Sequence, residues 1–275
     1  MKIFLLFGIL SSAPVFANLL DHIAYTSEGI QAECSDYLGK VSSAGDIVLR
    51  DFLIHDLQGL SGCSLNAQGK VIFKSGSVEK REDLSCISAR KLEAQHLAYK
   101  SHRRLHPDYQ SLSREMLHLS RQLEAGIINA RTLMIDTTLI QTTGVITISG
   151  HAGELVVLQS SELHPVISGV GVQLVGDIRP ENILWHFPVA RTLTLNFSGV
   201  DTLTFGEHLG MPGTFLAPHA EVKFNNALIT GALFARKITG LADRHDCSGL
   251  VAGQINPAPL RLPNPSQQQR QRGKN

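Results

Sequence analysis

The hydrophobic pattern of the first third of the chain repeats at a fixed spacing. Residues 44–54 (AGDIVLRDFLI) align with residues 68–78 (QGKVIFKSGSV), so that Gly45 and Gly69 occupy matching places 24 positions apart. In each copy a glycine turn is followed by alternating apolar residues, the period of a β-strand with one buried face. A strand unit that returns after about two dozen residues is typical of one coil of a β-solenoid, whose inward side chains stack on those of neighbouring coils.

A related pattern returns in the second half of the chain. Residues 213–217 (GTFLA) are echoed 18 positions later by residues 231–235 (GALFA). Only 6% of the residues are aromatic, which favours narrow, layered packing over a thick core. We therefore predict a mainly β fold, a right-handed parallel β-helix. Its predicted strands are 39–42, 46–50, 52–55, 70–74, 132–136, 145–149, 154–159, 166–168, 172–175, 183–187 and 191–197.

Between these two β-rich regions the period changes to that of a helix. Pro107 suits a helix start and Gly126 a helix stop, and the preceding charged stretch, residues 85–101, also predicts helix. We expect an α-helical insertion over about 85–126, packed alongside the β-helix. A coiled-coil dimerisation element is the alternative, but its seam is barely two heptads long. The seam residues are spaced alternately four and three apart: Leu105, Tyr109, Leu112, Met116, Leu119 and Leu123.

The two ends of the chain differ from the rest. Lys2, an apolar run over residues 3–10 and the small-x-small sequence ending at Ala17 predict a signal peptide over residues 1–17. The run is too short to span a bilayer, and no other apolar stretch of the mature chain is longer. The β-helical domain is predicted over 18–255. The proline-rich, polar residues 256–275 are predicted to be a disordered tail.

Charge and cysteine content narrow the functional classes. A net charge of +1 provides no long-range attraction for nucleic acid or an acidic membrane. In an exported chain, four cysteines predict disulfides, and their connectivity stays open. Cys63 and Cys86, about one coil apart, are the favoured pair, which leaves Cys34 and Cys247. Since none of the four lies in a C-x-x-C pair, the sequence predicts neither a metal nor another cofactor.

Two segments resemble motifs of the bacterial choice-of-anchor A family. One is 182–188 (NILWHFP), followed by 192–195 (TLTL). The other is 213–222 (GTFLAPHAEV), leading to 231–240 (GALFARKITG), with 38–47 (LGKVSSAGDI) similar to the family's opening glycine-rich rung. The resemblance implies a secreted or surface-displayed β-helical domain with a proposed adhesive role and no catalytic residues. It covers residues 27 to about 249.

Some residues of these motifs have a physical interpretation of their own. Pro218 lacks a backbone donor, so we expect it at a corner of a coil. Trp185 and Phe187 lie on one face of their strand and are expected to fill the interior or to pack under the helix. His186 stands where an asparagine is common in the family. Residues 263–275 contain neither a sortase motif nor an apolar anchor, which favours a periplasmic, secreted or non-covalently retained protein.

Three clusters carry candidate chemistry, each with a simpler explanation. The first cluster is Asp243, Arg244, His245 and Asp246, in a turn-like run. β-Helical polysaccharide enzymes use carboxylates and basic residues of this kind, but in a turn such charges are ordinarily solvated. His102, His106 and His118 lie near each other in the predicted helical block, and His102 and His106 have the i, i+4 spacing that can bind metal, but solvent-facing histidines are more common. Alternate threonines on a β-solenoid can match ordered water in ice, but threonine also simply favours strands; these are Thr192, Thr194, Thr202 and Thr204.

The function predicted from sequence is an exported, non-enzymatic adhesion or surface-interaction module. Its ligand would be an extracellular or cell-surface glycan or protein, and its oligomeric state stays open. The alternative is a carbohydrate-active β-helix enzyme, which would show an open cleft with converging carboxylates of shifted pKa. A structural scaffold of the cell envelope without a ligand is a third interpretation.

Overall fold

The structure of the protein is a computed structural model, which describes residues 17–33, 35–37, 40–50, 52–54, 65–73, 76–78, 87–94, 108–196, 211–225, 227–240 and 253–263. Within these residues the fold is mainly β, and every strand pairing is parallel. The three helices are α1 (Ala17–Leu20), α2 (Tyr109–Glu124) and α3 (Thr137–Thr143). The predicted signal peptide lies outside the described residues except for Ala17, and residues 264–275 lie outside them altogether.

In chain order the strands are β1 (Ala24–Glu33), β2 (Ser35–Tyr37), β3 (Val41–Ser43), β4 (Asp46–Arg50), β5 (Phe52–Ile54), β6 (Leu65–Phe73), β7 (Gly76–Val78), β8 (Ile87–Ala94), β9 (Arg131–Met134), β10 (Val145–Gly150), β11 (Val156–Gln159), β12 (Val166–Ser168), β13 (Gly171–Gly176), β14 (Ile183–His186), β15 (Thr192–Asn196), β16 (Met211–Pro212), β17 (Thr214–Asn225), β18 (Ala227–Gly231), β19 (Leu233–Gly240) and β20 (Gly253–Pro257). They form a 12-stranded sheet, a four-stranded sheet of β16, β18, β20 and β2, and two-stranded sheets of β10 with β13 and β5 with β7.

The repeats seen in the sequence are confirmed as strand register. Ile47 pairs with Val71, which preserves the 24-residue offset, and Gly69 donates its backbone N–H to the Gly45 carbonyl at 3.2 Å. Phe215 pairs with Leu233 at the 18-residue offset. Like side chains therefore lie in layers across neighbouring strands, as the alternating pattern requires.

The order of strands in the large sheet differs from their order in the chain. From one edge it runs β8, β6, β4 with β3, β1, β19, β17, β14 with β15, β11 with β12, and finally β9. Thus β1 lies in the middle, paired on one side with β19 and on the other with β3 and β4. The first half of the chain stacks outward from β1, whereas the second half begins at the far edge and returns to it.

The main core lies between the sheets and is built from the inward residues of these layers. Trp185 stacks on Phe215 with ring centroids 5.4 Å apart, and Phe187 lies 6.4 Å from the same ring. The Trp185 indole donates to the Pro212 carbonyl at 2.8 Å, so its polar atom is satisfied while the ring is fully buried. Trp185 and Phe187 thus fill the interior, one of the two expected positions.

Helix α2 packs against the outer side of the same sheet, alongside the strands as predicted. Asp108 caps its N-terminus by accepting from the Ser111 N–H at 3.0 Å. The Tyr25 hydroxyl of β1 donates to the Tyr109 carbonyl at 2.9 Å, and His186 of β14 lies 2.8 Å from Ser120. Tyr109, which contacts β1, and Ser120, which contacts β14, are eleven residues apart, a rise of about 16 Å along the helix axis. In the sheet β1 and β14 are separated by β19 and β17, a distance of roughly 14 Å. The helix therefore runs across the strands, along the direction of stacking.

Two of the predicted boundaries are wrong. Residues 87–94, expected to be helical, form strand β8, because their backbone pairs with β6 from Leu65 opposite Ile87 onward. Tertiary pairing here overrides a charged, helix-favouring composition. Residues 256–263, expected to be disordered, are ordered: β20 pairs with β18 and β2, Leu260 is 5% exposed, and the Arg261 N–H donates to the Glu181 carbonyl at 2.8 Å.

Two glycines provide a test of the close stacking. A Cβ at Gly45 would lie 1.4 Å from the Glu28 carbonyl oxygen of the neighbouring strand, whereas one at Gly153 would meet nothing within 4 Å. We expect Gly45→Ala to lower the free energy of unfolding by about 3 kcal/mol, since backbone must move. Gly153→Ala, strained only by its φ of 78°, should cost about 1 kcal/mol. Chemical denaturation measures both, and equal costs would contradict the stacking.

Two buried histidines under the helix predict a pH dependence of stability. Burial lowers the pKa of His186 to about 4, and burial together with Lys40 does the same for His22. The unfolded chain, with ordinary histidines near pKa 6.5, binds more protons between these values. The stability that depends on these two neutral histidines is therefore fully present above pH 6.5. It falls as the pH drops toward 4, by about 3 kcal/mol per histidine.

His186→Asn keeps a hydrogen-bonding group for Ser120 but does not titrate. We expect it to remove about half of the stability lost between pH 7 and pH 4, as measured by urea unfolding at each pH. His118→Asn, on the exposed side of α2, is the matched control and should leave the pH profile unchanged. An identical profile for wild type and His186→Asn would show that this buried imidazole is not the source.

Candidate functional site

An outward surface of the large sheet that α2 does not cover lies on the second half of the long strands. We call it the open face and define it by its outward residues in two rows. One row consists of Thr192, Glu221, Lys237 and Asp46, with Gly29 between the last two. The other row consists of Val166, Thr194, Lys223, Thr239, Gln31, Val48 and Ile72.

Strict alternation along the strands makes these residues point outward. In β15, Leu193 and Leu195 are fully buried while Thr192 and Thr194 are partly exposed. The row from Val166 to Ile72 crosses seven neighbouring strands, a length of about 29 Å. Helix α2 contacts β1 and β17 over the sheet's other part, where Tyr25 and Leu216 are buried. The open face is therefore long, regular and not covered by the helix.

A shift in strand register separates the covered and open parts of the sheet. The β17–β19 ladder loses its register between Ala217 and Glu221, so the pairing offset changes from 18 residues at Phe215 to 16 at Lys223. Pro218 lies inside this irregularity, in agreement with the corner expected for it. Comparable shifts occur in β1 between Thr26 and Gly29 and in β6 between Ala67 and Lys70. The chain thus turns at one level across several strands.

One carboxylate of the open face is held in place by its neighbours. Glu221 accepts from the Thr239 hydroxyl at 2.7 Å and from Lys237 Nζ at 3.0 Å. These hydrogen bonds, first that of Thr239 and then that of Lys237, lower the pKa of Glu221. Glu221 is therefore ionised at neutral pH and its charge is neutralised locally. Beside it, Lys223 and Gln31 are exposed to solvent.

The carboxylates with shifted pKa do not resemble those of a polysaccharide enzyme. Glu154, near the β9 edge, receives hydrogen bonds from Arg131 Nε at 2.6 Å and from the His151 N–H at 3.0 Å. The Arg131 hydrogen bond is the largest cause of its lowered pKa. A general acid for glycoside cleavage needs the opposite shift. Glu154 and Glu221 both act as ion-pair partners.

Several predicted candidates cannot be placed. These candidates lie outside the described residues: the cluster from Asp243 to Asp246, His102, His106, Thr202, Thr204 and all four cysteines. His118 is exposed on α2, with Nε2 2.9 Å from the Gln122 amide nitrogen. Within the described part of the chain, no group of three or more His, Cys, Asp or Glu side chains is arranged to hold a metal ion.

The two placed threonines lie on the open face, but they do not begin a threonine array. Thr192 stands beside Glu221, and Thr194 stands between Val166 and Lys223. The Thr192 hydroxyl lies 2.8 Å from His164 Nδ1. The other members of the face, such as Thr239, Lys223 and Gln31, were not identified from sequence, because the register shift and the pairing of β1 with β19 bring them together.

The second half of the chain matches a known family. Residues 120–245 match the model of a family described as "Putative Ice-binding-like adhesive domain". The matched segment begins in the last part of α2 and includes β9 to β19. It also contains the leucine-alanine-proline sequence at residues 216–218. The adhesive class is thus supported, and no match among curated proteins was found.

Three solved structures of ice-binding proteins are similar to this chain at low TM-scores. The protein of the Antarctic ascomycete Antarctomyces psychrotrophicus gives a TM-score of 0.44 at 13% identity, covering 88% of this chain and 97% of that one. A protein from an Arctic yeast gives 0.42 at 14% identity, covering 90% and 96%. One from an Antarctic biological consortium gives 0.33 at 10%, covering 94% and 97%.

None of the helices in the described ranges has the length and apolarity needed to span a bilayer.

The hydrogen bonds around Glu221 can be tested directly. Thr239→Val removes the larger cause of its low pKa, so we expect the pKa of Glu221 to rise in a carboxyl-detected NMR titration. Because these side chains are partly exposed, the cost in stability should stay below about 1 kcal/mol. Thr194→Val, in the same row but next to Lys223, is the control. A pKa of Glu221 that does not respond to Thr239→Val would contradict the arrangement.

Proposed function

We propose that the protein is an exported, non-enzymatic adhesion module of the choice-of-anchor A type, which binds a surface ligand through the open face. The observation that carries the proposal is this long row of outward side chains, held at regular spacing by seven parallel strands and left uncovered by α2. The match of residues 120–245 to an adhesive-domain family supports the same class.

The proposed fold behind this function is a right-handed β-helix. The parallel register, the layered core and the turns aligned at one level support it. Such a framework keeps the backbone of the open face rigid, so little conformational entropy is lost when a ligand binds. The signal sequence predicted over residues 1–17 supports export. The location proposed for the exported module is the periplasm, the surrounding medium or the cell surface.

The chemistry of the open face favours a polar, extended ligand. Thr194, Thr239 and Gln31 can exchange hydrogen bonds with hydroxyl or amide groups, and Lys223 adds a positive charge. Val48 and Ile72, at the β6 end of the row, provide apolar contact. An extracellular glycan or a protein surface fits this mixture. Each contact is modest, so affinity would rise when several copies act on one surface.

The chemistry of two described carboxylates disfavours the enzyme alternative. Glu154 and Glu221 both have a lowered pKa, which is the wrong direction for a general acid. The cluster from Asp243 to Asp246 lies outside the described residues and is tested by activity alone. Ice binding, to which the family's description refers, has less support from the open face. Charged Glu221, Lys237 and Lys223 interrupt its threonines.

The proposal is tested with residues 18–275 on a glycan array and on bacterial and host cells. We expect binding to at least one ligand class. The double variant Lys223→Glu, Gln31→Glu should reduce this binding at least tenfold. The matched control changes two exposed residues of α2, Gln110→Glu and Arg114→Glu, and should stay within about twofold of wild type.

Three outcomes would overturn the proposal. Equal loss in both double variants would show that the open face is not the binding surface. Release of reducing sugar from a polysaccharide, lost in Asp246→Asn, would favour the enzyme. Partition into a growing ice front that Thr194→Tyr abolishes would make ice the ligand.

A further inference from the structure

The β9 end of the stack is apolar and lacks a covering strand in the described structure. Among the described strands, β9 pairs only with β11, and β10, which follows it in the same coil, pairs only with β13. The large apolar side chains that are exposed in the described residues all lie between residues 127 and 189. Five of them belong to this end: Ile127, Leu133, Met134, Leu139 and Val145.

The outer edge of β9 carries backbone groups available for another strand. The Arg131 N–H donates to Leu155 at 2.9 Å, and the Ile135 N–H donates to Gln159 at 2.8 Å. In a parallel ladder, alternate residues use one side of the strand. The N–H and C=O groups of Thr132 and Met134 therefore point away from β11, toward the edge where no described strand lies.

This edge lacks the usual protection against association. Natural edge strands are blunted by lysine, proline or a bulge, and end repeats of solenoids usually have polar outer faces. Here β9 is regular, all four of its residues are exposed, and Met134 is 64% exposed. Leu133 pairs with Leu158 of the core, yet it is 37% exposed because the layer ends there.

We propose that this edge is the contact surface for a second copy of the chain, joined end to end by antiparallel pairing of the two β9 strands about a two-fold axis near Leu133. Thr132 of each copy then pairs with Met134 of the other, using the outward N–H and C=O groups. The exposed apolar side chains of the two ends come together around this ladder.

Charge complementarity favours a second copy as the occupant. Arg131 begins the edge and is held by Glu154 and the Ser149 carbonyl. Asp136 follows the other end and is fixed where it caps α3, accepting from Thr138 at 2.9 Å. In this register Arg131 of one copy lies opposite Ile135 of the other, so that Asp136, the next residue, adjoins Arg131 across the ladder, twice by symmetry. Such pairing is self-complementary, as a two-fold interface requires.

The experiment measures self-association of residues 18–275 by sedimentation velocity over a concentration series. Met134→Pro removes one outward N–H while leaving the bonds to β11 intact, since proline is tolerated where a strand's N–H faces outward. Met134→Lys places a charge in the interface. We expect each variant to raise the dimer dissociation constant at least tenfold. Val189→Lys, an equally apolar exposed position away from β9, should leave it within twofold.

Hydrogen exchange adds a readout specific to the register. The amides of Thr132 and Met134 should become protected as protein concentration rises, whereas those of Arg131 and Ile135 should be protected at every concentration. Thermal unfolding confirms that each variant is folded. A wild type that stays monomeric up to roughly 100 μM would overturn the proposal. So would a dimer whose affinity Met134→Pro and Met134→Lys leave unchanged.

Discussion

The pairing of β1 with β19 is the contact on which the rest of the structure depends. It joins residues near the two ends of the chain, as the Glu28–Arg236 ion pair across 208 positions illustrates. Together with the pairing of β2 with β20, it joins two stacks that would otherwise be separate. With it, Ile30 lies between Ile47 and Ile238 in one continuous layer. The main core, the platform under α2 and the row of the open face all cross this junction.

The sequence allowed the local geometry to be predicted, but not the order of assembly. Glycine spacing correctly placed Ile47 beside Val71 and Phe215 beside Leu233, because both pairs belong to neighbouring coils in sequence and in space. The apolar seam from Tyr109 to Leu123 correctly predicted helix α2. The pairing of β1 with β19 could not be predicted, because these two strands are far apart in the sequence and no repeated spacing connects them. Residues 87–94 were predicted to be helical because their composition is charged, although β8 pairs with β6 of the neighbouring coil. Of the open face, only Thr192 and Thr194 were identified.

The two sides of the long strands have different roles because the chain turns at the same level in several layers. Before the turn, outward residues such as Tyr25, Leu216 and Phe234 are large and become core under α2. After the turn, the corresponding positions of the same strands are glycine, glutamine, glutamate, lysine or threonine and stay in contact with water. A single helix of sixteen residues can cover only the first part. The residue types in the outward rows therefore differ between the part of the sheet that α2 covers and the part that it leaves open.

The central place of β1 also has a consequence for how the molecule acquires its structure. In an ordinary repeat protein, each unit docks on the one made just before it, so folding can advance from the N-terminus. Here β1 can pair with β3 and β4 soon after it is made, but its other edge waits for β19, and the contact order is accordingly high. That edge of β1 therefore stays unpaired until nearly all of the chain is available. Folding of this kind is slow and cooperative, so a fragment cut at either end would be poorly stable.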